Sequence, residues 1–468
     1  MESGPQDKCG VVGISFGDDR DVAPHLYNAL RALQHRGQES AGIAVFDGAH
    51  LRSRRGMGMV HEVLGDLLER PLRGSSGIAH TRYSTTGGSH AVNAQPFVAT
   101  CDLGDLGLGH NGDIVNATEI MQDRQARGWA FMTSSDSELI LRMLANDLVD
   151  HPSVPAAMAR VAKRIRGAYS LALQVGPVVY GVRDPLGIRP LFLGKVEGGH
   201  VIASESVAID ALGGERVRDV EPGEIVELTG GEVKSHRFAE SPRRAHCMFE
   251  WVYFARPDSI IDGREVYKVR REIGAILADA DGGSIKADVV FGVPDSGRAH
   301  ALGYARASGI EYDEGLMKNR YIGRTFILPE KGQRESDVRA KLNPIRSVVS
   351  GKRIVMVDDS IVRGTTMRRI VGLLRSAGAK EVHVRLGVPP IIAPCPYGID
   401  MKTREQFLAR GRTNQEIAKV IGADSVRYLD LDGLERAIGK PLSDLCTGCL
   451  TEKYPVPLPG PPEPSCCG

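Results

Sequence analysis

Residues 355–366, Val-Met-Val-Asp-Asp-Ser-Ile-Val-Arg-Gly-Thr-Thr, restrict what this chain can fold into more than any other stretch. An apolar run fit for a buried strand delivers two adjacent carboxylates, then a short loop with Gly364, then helical spacing from Thr365 onward. The neighbouring sequence continues the alternation, with strands over 287–293, 352–357 and 381–388 and helices over 296–307 and 365–376. Such alternation predicts a parallel sheet with right-handed crossovers, whose ligands bind beyond the carboxyl ends of the strands. Chemistry is therefore expected just after Val293 and Val357. At the second position a helix N-terminus offers free N–H groups and a positive dipole end, which suits a phosphate. Gly364 lets the backbone approach a ligand, and Ser360, Thr365 and Thr366 add hydroxyl donors. Asp358 and Asp359 would repel a phosphate unless they bind sugar hydroxyls and a divalent metal carrying a second anionic group. The plain alternative is a solvated strand end with Thr365 as a helix cap. An apolar strand, a glycine and paired threonines in one register argue against it. The turn Val293-Pro-Asp-Ser-Gly-Arg is either a second phosphate-facing loop or a simple turn capped by Asp295 or Ser296.

Before about residue 240 the pattern differs. Short strands, such as 11–16, 42–46, 77–80, 106–110, 170–175, 178–183 and 191–195, are separated by glycine-rich turns. Helical spacing appears over 22–34, 136–148 and 154–164, which together predicts a layered α+β domain. Ser241-Pro-Arg-Arg244 reads as the linker between the two halves. A chain of 468 residues has room for two to three such domains. Its net charge of +1 gives no global field for nucleic acid or anionic membrane. The first eight residues have no apolar core, and no apolar run approaches the ~20 residues of a membrane span. A cytoplasmic protein without nucleic-acid or membrane partners is expected.

Cys9, at the head of Cys-Gly-Val-Val-Gly-Ile, would ordinarily be a small buried hydrophobe. Removal of residues 1–8 would give it a free α-amine with a pKa of roughly 7.7–8.0, a base beside its own thiol. Three segments then fit acyl transfer from a small amino acid. Arg82, in His80-Thr-Arg-Tyr-Ser-Thr85, can grip a carboxylate with two bonds, and Asp136 can pair with an ammonium. Asn111 and Gly112, in His110-Asn-Gly-Asp113, supply the side-chain and backbone donors of an oxyanion hole.

With these residues in place, the 355–366 segment resembles the signature of type I phosphoribosyltransferases, which bind 5-phosphoribosyl-1-pyrophosphate (PRPP). The whole chain resembles the glutamine PRPP amidotransferases. The resemblance also covers Leu33-Gln-His-Arg-Gly-Gln-Glu-Ser40 and Tyr253-Phe-Ala-Arg-Pro-Asp-Ser259. It implies an N-terminal-nucleophile glutaminase with an αββα sandwich over 9–240, followed by an α/β type I phosphoribosyltransferase domain over 250–454. It further implies that glutamine, PRPP and water are consumed in the first committed step of purine (IMP) synthesis, giving 5-phosphoribosylamine, glutamate and pyrophosphate. Cys9, Asn111 and Gly112 would be catalytic, and Arg82 and Asp136 would bind glutamine. Asp358, Asp359, Ser360, Ile361, Val362, Arg363, Gly364, Thr365 and Thr366 would bind PRPP, with one Mg²⁺ per subunit on Ser296, Asp358 and Asp359. Residues from Lys318 to about Lys341 would form a basic lid closing on pyrophosphate and building an ammonia passage. A homotetramer inhibited by purine nucleotides is implied as well.

Residues 1–8 look like the propeptide of one branch of that family, a branch that carries a [4Fe–4S] cluster. Its ligand motifs match at Cys247, Cys395, Cys446 and Cys449. Spacing alone would favour a zinc site or scattered thiols; the flanking residues favour iron–sulfur, in a structural role. The Pro-rich segment 455–468, ending in Cys466-Cys467, reads as a disordered tail. Glutamine enzymes such as glucosamine-6-phosphate synthase and asparagine synthetase would not need the paired-aspartate loop. A silent PRPP sensor would not need the Cys9 set.

Overall fold

The computed structural model describes residues 9–83, 88–101, 104–150, 152–319, 342–401 and 403–458. The expected propeptide, Ser84 and Thr85, residues 320–341 of the expected lid, and residues 459–468 of the tail lie outside the described residues.

Among the described residues, the first half forms two antiparallel sheets, of seven and six strands, packed face to face. The strand Gly10–Phe16 runs through the middle of the first sheet, between Gly199–Ala203 and Ser76–Arg82. Its alternation explains the layering. Val11 faces the core between the sheets, with Ile78, Val179 and Ile202, while Val12, Ile14 and Phe16 face the helix Ala23–Ala32 on the outer side. The outer face of the second sheet is covered by the helices Asp136–Asp150 and Val154–Ala162. This is the αββα sandwich of the N-terminal-nucleophile enzymes.

The second half is built on a parallel sheet in the order Val289–Gly292, Arg353–Asp358, Glu381–Leu386, Ser425–Tyr428. Both faces are covered, so its strands are apolar throughout. In Arg353–Asp358, Ile354 and Met356 point toward the helices Thr365–Ser376 and Asn414–Ile421, and Val355 and Val357 point the opposite way. On that other side the helices Val266–Asp281 and Arg298–Ser308 cross with their backbones in contact. A Cβ on Gly274 would stand 1.9 Å from the His300 carbonyl oxygen, and one on Gly303 1.9 Å from that of Arg271.

Residues 241–244 form no regular element, as the linker reading requires, but the halves are not separate bodies. One apolar cluster runs from the outer helix of the first half through Phe249, Trp251 and Phe254 to the helix Val266–Asp281. The short strand His246–Cys247 pairs in parallel with Leu445–Cys446 at the far end of the chain. The expected tail also needs correcting at its start. The Tyr397 hydroxyl accepts from the Val456 N–H and donates to its carbonyl, and Val456 is buried, so the docked chain runs at least through that residue. A single apolar side chain with a satisfied amide outweighs the proline-rich surroundings there.

These glycines separate two kinds of substitution. Gly303→Ala is expected to lower the thermal midpoint by several degrees, because the methyl group must push two helices apart. Gly372→Ala, at an exposed mid-helix position with open space around it, should raise stability by up to about 1 kcal/mol through helix propensity alone. Thermal unfolding of both variants checks the opposite signs.

Candidate active sites

The first site sits at the head of the strand Gly10–Phe16. Pairing of Gly10 with Thr81 brings Cys9 beside Arg82 and Tyr83, and the Cys9 thiol lies 3.7 Å from the Tyr83 carbonyl oxygen. Burial pushes the Cys9 thiol above its ordinary value; Arg82 pulls the other way, and Asp136 and Glu39 add to the rise. Cys9, Arg82 and Asp136 thus share one electrostatic neighbourhood. Asp136 opens the helix Asp136–Asp150. It accepts from the Ile114 N–H at 3.0 Å, and the His110 ring stands 3.7 Å away. Burial opposes its ionisation, but His110 and these hydrogen bonds hold the carboxyl below its usual range.

Asn111 and Gly112 follow His110 on the strand Gly104–Ile114. Both polar atoms of the Asn111 carboxamide are buried without a hydrogen-bond partner among the described residues. A buried amide left unpaired is costly, and a ligand oxygen would satisfy it. Gly112 has φ +154°, and a Cβ there would fall 1.9 Å from the Ala168 carbonyl oxygen. No side chain fits at that position.

Several residues of this site carried no signal of their own. Glu39 accepts from Arg82 at 2.9 Å and holds the guanidinium in place. Gln95 and Ser137 brace His110 through its N–H and ring, at 2.9 and 3.0 Å. Arg36 donates through Nε to the Cys9 carbonyl at 3.2 Å, while its guanidinium pairs with Glu205 and with both oxygens of Glu250, at 3.1 and 3.0 Å. Glu205 in turn accepts from the Arg256 N–H and the Ser259 hydroxyl. Arg36 and Glu39 lie in the 33–40 motif and Arg256 and Ser259 in the 253–259 motif, so motif clustering was the available clue.

The second site lies at the carboxyl end of Arg353–Asp358. The Ser296 hydroxyl donates to Asp358 at 3.3 Å, and the Ser360 hydroxyl to Asp359 at 2.6 Å. The second oxygen of Asp358 is buried without a partner among the described residues. Burial holds both carboxyls above their ordinary range, and for Asp358 the adjacent Asp359 adds to the effect. A cation or sugar hydroxyls placed here would relieve that penalty. Gly364 has φ +74°, with Leu408 where a Cβ would go, and the helix Thr365–Ser376 starts immediately after it. Ile361 and Val362 are buried and Arg363 is exposed, so the first two can meet a ligand only through their backbones. The Val293–Gly297 turn abuts this loop. Val293 N–H donates to the Val357 carbonyl at 2.9 Å, and a Cβ on Gly297 would lie 2.2 Å from that same oxygen. Lys318 stands 3.4 Å from Asp295 at its rim.

Cys247, Cys395, Cys446 and Cys449 line one small, largely enclosed cavity with Arg189, Phe249 and Tyr397. Cys247 and Cys446 are direct register partners, and the Cys449 carbonyl accepts from Ile392 and Ala393, just before Cys395. Among the described residues no three His, Cys, Asp or Glu side chains gather closely enough to hold a single metal ion. Burial pushes the Cys446 and Cys449 thiols up, and the other cysteines of the cavity add to it. Among the described residues no helix is long and apolar enough to cross a membrane.

Residues 80–211 match the family described as glutamine amidotransferase domain, and residues 262–386 the phosphoribosyl transferase domain. The amidophosphoribosyltransferase of Archaeoglobus fulgidus is 51% identical, over 97% of this chain and 99% of its own length. That of Bacillus subtilis is 43% identical, over 97% and 95%. A crystal structure titled as the glutamine PRPP amidotransferase of B. subtilis complexed with ADP and GMP superposes with a TM-score of 0.90 at 42% identity, covering 96% of this chain and 98% of that one.

The Asp358–Asp359 pair makes stability depend on pH. A carboxyl whose folded value is raised binds its proton more tightly folded than unfolded, so it costs stability as pH rises above the ordinary carboxylate range. Asp358→Asn is therefore expected to melt higher than the parent at pH 8, with a smaller difference at pH 4. Thermal shift at the two pH values tests this; a variant no more stable than the parent at pH 8 contradicts it.

Proposed function

From the premise that the chain belongs to the amidophosphoribosyltransferase family, we propose which of its residues perform each half of the reaction. The enzyme hydrolyses glutamine and transfers the ammonia to PRPP, giving 5-phosphoribosylamine, glutamate and pyrophosphate, the committed opening of purine synthesis. The observation that carries the assignment is the buried, unpaired carboxamide of Asn111 in the same neighbourhood as Cys9, Arg82 and Asp136.

Arg82 and Asp136 receive the carboxylate and ammonium of glutamine. The Cys9 sulfur attacks the side-chain amide carbon, and the C=O electron pair moves onto oxygen, where Asn111 and the Gly112 N–H stabilise it. Burial keeps the Cys9 thiol protonated until a base accepts its proton. The α-amine of Cys9, freed by loss of residues 1–8, is that base, and it returns the proton to the departing ammonia. Water then hydrolyses the thioester to glutamate.

In the second site the loop Ser360–Thr366 holds the 5-phosphate through backbone N–H groups and the Thr365 and Thr366 hydroxyls. Asp358 and Asp359 take the ribose hydroxyls. Ser296, Asp358 and Asp359 would also hold Mg²⁺, which when bound neutralises the pyrophosphate leaving group. Ammonia attacks C1 of the ribose as the bond to pyrophosphate breaks. The ammonia must reach C1 without meeting bulk water, which would protonate it.

The four cysteines fit a [4Fe–4S] cluster by donor set: all four line one largely enclosed cavity, and the positive charge of bound iron would offset the burial that pushes the Cys446 and Cys449 thiols up. A single zinc ion needs its sulfurs closer together than a multi-iron cluster does. Neither half-reaction moves electrons, so the cluster's role is structural. Purine nucleotides act as feedback inhibitors of a homotetramer, in keeping with the ADP and GMP bound by the B. subtilis relative.

Cys9→Ala is expected to abolish glutamine-dependent product while leaving synthesis from ammonium salts within about twofold; joint loss of both activities contradicts the two-site division. Anaerobically purified protein should carry about four irons and four sulfides per chain. Zinc in their place, at one ion per chain, would sink the cluster assignment.

A further inference from the structure

Gly398 lies three residues after Cys395 and 286 positions from Gly112, yet the two glycines are in backbone contact. A Cβ built on Gly398 would stand 3.0 Å from the Gly112 carbonyl oxygen and 3.3 Å from Nη2 of Arg189. Gly398 has φ +92°, so its own backbone also favours glycine. Gly112 is thereby confined between the Ala168 carbonyl on one side and Gly398 on the other.

Arg189 organises this junction. It is fully buried, and its Nη2 donates to the carbonyl of Tyr397, the residue before Gly398. Its own carbonyl accepts from the Ser170 hydroxyl at 3.2 Å, and Ser170 is the ladder partner of Asn111. Its Nη1 stands 3.8 Å from Glu250, which pairs with Arg36, which donates to the Cys9 carbonyl. Arg189 is thus tied on one side to the strand bearing the oxyanion donors and on the other to the nucleophile.

We propose that Arg189 and Gly398 are positioning residues for the glutaminase half-reaction, fixing the Asn111–Gly112 donors relative to Cys9. This rests on the oxyanion reading of Asn111 and Gly112 given above. Donors aimed at an oxyanion act only in the tetrahedral state, so displacing them lowers kcat and leaves ground-state binding intact.

The test compares Gly398→Ala, Arg189→Met, Arg189→Lys and Asn111→Ala in the full-length holoenzyme. Gly398→Ala and Arg189→Met should lower kcat for glutamine about 10- to 100-fold, part of the roughly 10²–10³ that removal of an oxyanion donor costs. The KM for glutamine and the ammonia-dependent rate should stay within about twofold, and Arg189→Lys should recover part of the loss. A glutamine-derived aldehyde, which forms a tetrahedral adduct with Cys9, should lose affinity in step with kcat, while glutamate should not. If Gly398→Ala loses both activities, the two Arg189 variants decide. Unchanged kcat, a rise confined to KM, aldehyde affinity at the parent level, or equal loss of both activities in all three variants overturns the proposal. If Asn111→Ala itself leaves kcat intact, the oxyanion reading falls. If Asn111→Ala lowers kcat and the other variants do not, only the positioning role falls.

Discussion

A buried arginine between two buried glutamates holds this molecule together where its two chemistries meet. Arg36 comes from the first half, Glu205 from the residue before its last helix and Glu250 from the start of the second half, and all three side chains are nearly inaccessible to water. Removing such charges from water costs several kcal/mol each, so the group persists only because every member is paired. Loss of any one would leave the others as uncompensated charge. The same arginine donates to the backbone carbonyl of Cys9, so the paired charges and the head of the first strand are joined. Glu205 extends the arrangement to Arg256 and Ser259, and Arg270 continues it by holding the Trp251 and Ala255 carbonyls while lying in the field of Asp359.

The paired aspartates show the opposite economy. Nothing in the described structure compensates Asp358 and Asp359 fully, and one oxygen remains unpaired. The fold tolerates that cost because the strand Arg353–Asp358 is apolar on both faces and anchored by neighbours on either side. The two carboxyls are thereby presented at the end of a strand paired on both sides and packed on both faces, and a ligand placed there would restore the stability they forfeit.

Much of this was legible in the sequence, for identifiable reasons. The helix Thr365–Ser376 and the strands Val178–Arg183 and Arg353–Asp358 fall within a residue of the spans read from periodicity, because glycines and charged residues mark their ends. Cys9, Arg82 and Asp136 were legible as residue types; strand register brings the first two together, and Asp136, at the start of a helix, joins their electrostatic neighbourhood. Pairing across long sequence separations was not legible. Nothing local in Glu39 announces a partner at Arg82, nor in Gly398 a neighbour at Gly112. Edge strands such as Glu215–Asp219 and Glu232–Arg237 were missed because charge dominates their exposed faces. The cis peptide between Pro294 and Asp295 has no signature in composition at all.

The parallel pairing of Cys247 with Cys446 has a consequence for biosynthesis. About two hundred residues separate the two, and at ~5–20 residues per second the ribosome needs on the order of ten to forty seconds to deliver the second after the first. Throughout that interval the earlier thiol has no cavity to enter. Closure of that cavity therefore awaits delivery of the segment that carries Cys446 and Cys449.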